Sequence, residues 1–145
     1  MFVRRFQNAD LKRVYEIEKL SFPDPYDMEV LLRIYELGLG FLVAEESNQV
    51  VGYIIFSLTN ECDGHLVSIA VDKNYRGLKI GSALLRAVIS TYLNIGINKI
   101  VLEVRTHNIR AIKFYESFGF IIDRKEFKYY ENGDDAYVMY LKFPS

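Results

Sequence analysis

The chain has 145 residues, half of them hydrophobic and 26% charged, which suits one soluble domain with a sizeable core. Eighteen Lys and Arg stand against 19 Asp and Glu, so the formal charge is -1 and no global basic field points to nucleic acid or to an anionic membrane. A single cysteine, Cys62, excludes an internal disulfide framework and a Cys-rich zinc site.

The first residues, MFVRRFQNAD, lack the apolar run of a signal peptide, and no segment reaches the roughly 18 apolar residues of a membrane span, so a reducing, cytoplasmic setting is expected. FVRRF (2–6) alternates as a short strand, and Asn8 with Asp10 is expected to cap a helix running to about Leu20. SFPDPY then interrupts with two prolines, and DMEVLLRIYEL resumes helical spacing until Gly38 and Gly40 stop it. GFLVAEE and VVGYIIFSL form a hairpin across SNQ, and the densely apolar HLVSIAVD is a strand near a sheet centre. In the next helix Ile80, Ala83, Leu84, Ala87 and Val88 share an apolar face that Leu85 and Ile89 widen.

KIVLEVR is the following strand. Asn108 caps the helix IRAIKFYESF, which Gly119 closes. FIIDRKEFKYY and AYVMYLKF are the last two strands, around a turn at Asn132-Gly133. The order β-α-α-β-β-β-α-β-α-β-β describes a mixed α/β domain of seven strands and four helices over residues 1–145, with no linker, repeat or low-complexity tract.

The stretch YRGLKIGSALL (75–85) runs from a strand, through a loop bearing Arg76 and Lys79, into a helix starting near Ile80. Unpaired helix N–H groups beside cations suit a pyrophosphate; an ordinary surface turn with solvated cations fits the same letters. Neither G-x-x-x-x-G-K-[ST] nor G-x-G-x-x-G is present, which excludes the Walker and Rossmann phosphate loops.

This stretch resembles the acetyl-CoA pyrophosphate loop [RQ]-x-x-G-x-[GA] of the GNAT acetyltransferases, with Arg76 first and Gly81 last. Lys79 stands at the middle glycine of the motif, where a positive φ would strain a side chain. GHLVSIAV, LEVRTHNIRAIKFYESFGF and KYYENGDDAYVMYL are similar to segments of protein amino-terminal acetyltransferases, of the NatA catalytic, archaeal and RimI-like types, so that the resemblance covers nearly the whole chain.

The resemblance implies the GNAT fold and direct acetyl transfer, in a ternary complex, from acetyl-CoA to the α-amine of a nascent or ribosomal protein. A lysine side chain or a small-molecule amine is the alternative acceptor. It further implies that Glu103 and His65 serve as base and Tyr115 as acid. Arg76, Gly77, Lys79, Ile80, Gly81, Ser82 and Asn108, with the backbone of Ile69, Ala70 and Val71 at a strand bulge, would hold CoA. Phe22, Pro23, Asp24, Tyr26, Tyr129 and Tyr130 would flank the acceptor, and an auxiliary subunit or a ribosome is an implied partner. Chemically, each role needs the residue type found: transfer to an amine requires a base, a polarised carbonyl and a proton donor for the thiolate. Cys62 and His107 have no assigned role, and no metal is expected, because no His, Cys and carboxylate cluster has ligand spacing.

Overall fold

Strand β1 (Phe2–Arg5) leads through a 3-10 turn at Asn8–Asp10 into helix α1 (Leu11–Ser21). Asn8 is not the cap expected of it. Asp10 closes the turn instead, its carboxylate accepting from the Gln7 backbone N–H at 2.8 Å and from Arg4 at 2.8 Å. That tertiary partner on β1 is what the local pattern could not show. Prolines 23 and 25 keep the following segment out of helix until Asp27, whose side chain accepts from the Val30 N–H at 2.9 Å and starts α2 (Met28–Glu36).

The computed structural model describes residues 1–58 and 63–144, so Cys62 lies outside the described residues. The remaining elements are β2 (Gly40–Glu46), β3 (Gln49–Phe56), β4 (Gly64–Val71), α3 (Ile80–Asn94), β5 (Lys99–Arg105), α4 (Ile109–Ser117), β6 (Ile121–Glu126) and β7 (Ala136–Lys142). They form one seven-stranded sheet in the order β1-β2-β3-β4-β5-β7-β6, with β4 at its centre. Only β4 and β5 run parallel, with α3 as their crossover; the other pairings are antiparallel.

Two apolar clusters cover the faces of the sheet. Val14, Ile17 and Leu31 of α1 and α2 pack on Phe41, Val43, Tyr53 and Ile55 on one side. On the other side Ile80, Leu84, Leu85, Val88 and Tyr92 of α3, with Ile112 and Tyr115 of α4, pack on Ile54, Leu66, Ile100 and Leu102. Among the described residues no helix is long and apolar enough to cross a membrane.

Three irregularities shape the site. β4 and β5 pair only at Gly64 with Ile100 and His65 with Val101, then part. The β3–β4 register slips between Ile55, opposite Ser68, and Phe56, opposite Leu66, which makes Val67 the bulged residue. This is two residues before the Ile69–Val71 backbone where the bulge was expected, and it re-aims β4: Val67 and Ala70 face α1, whereas Ile69 and Val71 face α3. Third, β6 ends at Glu126, so Tyr129 and Tyr130 sit in a loop rather than on the predicted strand. Lys128 adopts φ 52° and turns the chain, and the Gly133 N–H closes a turn onto the Tyr130 carbonyl at 2.8 Å.

Candidate active site

Where β4 and β5 part, a cavity of about 530 Å³ opens through the middle of the sheet. One end belongs to the loop before α3. Asp72 anchors that loop, pairing with Arg13 of α1 and accepting from the Asn74 N–H at 2.8 Å. Gly77 has φ 81° and Lys79 has φ 62°, ψ 24°, so the lysine does hold the left-handed conformation that a glycine would take freely. Ile80, Gly81 and Ser82, the first residues of α3, line the cavity, and a helix leaves its first amides without intrahelical acceptors. Gly81 has no positive φ, and a Cβ there would meet the Phe114 ring of α4 at 3.4 Å, an ordinary packing contact.

Arg76 and Lys79 line this end together with Arg110 of α4, a cation the sequence reading did not single out. Arg76 is depressed below the usual guanidinium range by burial and then by the charge of Arg110, and only Asp72 opposes this. Two guanidinium groups that repel each other across a cavity fit a polyanion between them. Asn108 caps α4 by accepting from the Ala111 N–H at 3.2 Å and also lines the cavity. From Leu66 onward β4 keeps its hydrogen bonds to β3 while its other edge, including Ile69, Ala70 and Val71, faces the cavity, as an extended amide-bearing ligand requires.

Midway lies the proton-transfer set. Val101 and Glu103 share one face of β5, and His65 pairs with Val101, so both functional side chains emerge side by side. The His65 Nε2 lies 2.8 Å from Glu103 Oε1, within hydrogen-bond reach. The His65 pKa is raised, chiefly by the hydrogen bond with Glu103 and against the opposing effect of burial. Glu103 lines the cavity and is 19% exposed, whereas His65 stands behind it, outside the cavity lining, 43% exposed to solvent. Tyr115 of α4 presents a buried phenol to the same cavity, and burial pushes its pKa far up, which keeps the proton on it.

The opposite end is framed by two loops. Phe22, Asp24 and Tyr26 of the α1–α2 loop line it, as does Tyr130 of the β6–β7 loop, while Pro23 and Tyr129 do not. Tyr129 instead faces Glu103 and stacks edge-on against Tyr130, with ring centroids 5.0 Å apart. Burial pushes the Tyr130 phenol up to about 12.

Arg105, at the end of β5 and 8% exposed, ties both loops together. It donates to Asp24 from one loop, donates to Asp134 from the other at 2.9 Å, and lies 3.8 Å over the Tyr130 ring. His107, at 3.2 Å from Asp134, belongs to the rim of this network. Arg105 and Glu18, whose carboxyl also lines the cavity, were not found from the sequence. A signal existed for each: a cation closing an apolar strand, and a carboxylate four residues after Val14 on the apolar face of α1.

Residues 11–120 match the family model described as Acetyltransferase (GNAT) family, and the chain belongs to that family. An uncharacterized N-acetyltransferase of Methanocaldococcus jannaschii is 44% identical over 148 residues, covering 100% of this chain and 94% of the relative. An N-alpha-acetyltransferase of Sulfurisphaera tokodaii is 35% identical over 154 residues, covering 94% and 90% respectively. Among solved structures, that of Ard1 from Thermoplasma volcanium superposes with a TM-score of 0.94 at 30% identity, covering 99% of this chain and 98% of that one.

Proposed function

We propose that this protein is an N-α-acetyltransferase that moves acetyl from acetyl-CoA to the α-amine at the N-terminus of a nascent or ribosomal protein. It would do so as one catalytic domain over residues 1–145, in the cytoplasm. The observation that carries the reading is one cavity, shared by a cationic end at α3 and an end bounded by two tethered loops, with the His65–Glu103 pair between them. The similarity to an archaeal N-alpha-acetyltransferase supports the same acceptor class.

Arg76, Lys79, Arg110 and the amides of Ile80, Gly81 and Ser82 would bind the pyrophosphate, and the free edge of β4 the pantetheine. The donor supplies a thioester whose carbonyl carbon the amine attacks, so that a C–N bond forms and the C–S bond breaks. Glu103 faces the amine and takes its proton, directly or through one water. His65 takes that proton from Glu103 at Nε2 and loses one from its other ring nitrogen to bulk solvent, which the exposure of the imidazole permits. Backbone N–H groups of β4 stabilise the developing oxyanion, and Tyr115 hands its proton to the departing thiolate. Phe22, Pro23, Asp24, Tyr26, Tyr129 and Tyr130 form the loops between which an extended chain end would lie.

The test is turnover of acetyl-CoA with peptides beginning Ser, Ala or Met, against the same peptides with a blocked α-amine and one free lysine. Acetylation of the free N-termini alone supports the reading. Turnover confined to lysine, a polyamine or an aminoglycoside refutes it.

A further inference from the structure

Glu18 is a buried carboxyl at the cavity that the proton-transfer scheme leaves unused. It is 2% exposed, on α1, and reaches the acceptor end of the cavity. Its oxygens accept from the Tyr53 hydroxyl and, at 3.1 Å, from the Tyr26 backbone N–H, and the Ser68 hydroxyl also bonds to it. All three are neutral donors. They hold the carboxylate in place without cancelling its charge. Burial first, then the nearby Asp24, raise its pKa, although the three hydrogen bonds oppose this.

The cavity is therefore polarised. Its donor end holds Arg76, Lys79 and Arg110; its acceptor end holds Glu18 and Asp24, with Glu103 midway on the way there. The guanidinium at the acceptor end, Arg105, is already engaged by Asp24 and Asp134. That leaves an excess of negative charge where an acceptor amine and its first side chain must sit. Such a field favours a cationic chain end and repels an anionic side chain, and solvent screens it poorly in a buried site.

Resting on the N-terminal reading above, we propose that Glu18 is a specificity-determining residue: it excludes acceptors whose first side chain is a carboxylate and admits the isosteric amides. The experiment compares kcat/KM for peptides identical except for a first residue of Asp, Asn, Glu or Gln. The amide of each pair should be preferred by about tenfold to a hundredfold, as one unscreened like-charge contact implies. Glu18→Gln, or Glu18→Met if the first variant does not fold, should shrink that preference at least about threefold, with acetyl-CoA affinity reporting the folded state.

Acid and amide peptides turned over within about twofold by the unmodified protein would overturn the inference, as would an undiminished preference in a folded Glu18 variant. If none of the four peptides is acetylated while a polyamine is, the N-terminal reading itself fails and takes the inference with it.

Discussion

Replacing Glu103 with Gln keeps the side-chain volume and an oxygen able to accept from His65, but removes the charge that the proton-transfer scheme needs. Loss of a positioned general base lowers turnover by about 10²- to 10⁴-fold, so kcat should fall by that factor while CoA affinity stays within about twofold. The pH profile carries the sharper signature. His65 owes its raised pKa first to the hydrogen bond with Glu103, so its folded value lies above that of a free histidine, and burial alone would push it the other way. In the variant the acid limb of kcat/KM should move to lower pH and its plateau should drop.

Stability follows with the opposite emphasis. The contribution of a raised histidine is complete below its unfolded value, near pH 6.5, and is lost as pH rises through the folded value. At 43% exposure the imidazole is well screened, so Glu103→Gln should cost under about 1 kcal/mol in acid and less at alkaline pH. Steady-state kinetics from pH 5 to 9 and urea melts at both extremes measure the two effects, over a range of roughly four units around the histidine value. A kcat within about threefold of the unmodified protein, or an acid limb that stays put, would refute the assignment of the pair.

Tyr115→Phe removes a buried hydroxyl and leaves the ring contacts to Phe114 and Phe120, so the melting temperature should hold while kcat falls by about 10²-fold or more. Lys79→Gly relieves a left-handed side-chain conformation worth roughly 1–2 kcal/mol, offset by about 0.5–1 kcal/mol of added chain entropy, so a small net stabilisation is expected in urea melts. CoA affinity of the same variant against salt separates a structural lysine, with an unchanged slope, from a phosphate contact, with a shallower one. Arg110→Ala should raise the KM for acetyl-CoA about tenfold and weaken its salt dependence, leaving the KM for peptide unaltered.

The parts of this molecule legible in its sequence are those governed by local chemistry. The hairpin across SNQ, the Asn108 helix start and the stop at Gly119 all follow from turn and cap preferences. The strain at Lys79 was legible because a motif position dictated its φ. Besides Arg110, two more site residues, Arg105 and Glu18, escaped because they depend on partners distant in sequence. Arg105 looks like an ordinary strand-end cation until Asp24 and Asp134 meet on it, and Glu18 like a helix-face carboxylate until Tyr53 and Ser68 close over it. The tyrosine pair was misplaced on a strand because alternating aromatic letters favour strands, whereas the left-handed turn at Lys128 overrides that preference. The bulge at Val67 is a register slip between β3 and β4, which neither strand encodes alone.

The most direct test uses one peptide bearing both a free α-amine and an internal lysine, incubated with the protein and acetyl-CoA and then fragmented in a mass spectrometer. Acetyl is expected on the α-nitrogen, lost together with turnover in the Glu103→Gln, Tyr115→Phe double variant that still binds CoA. Acetyl on the lysine alone, or undiminished transfer by the double variant, would contradict that expectation.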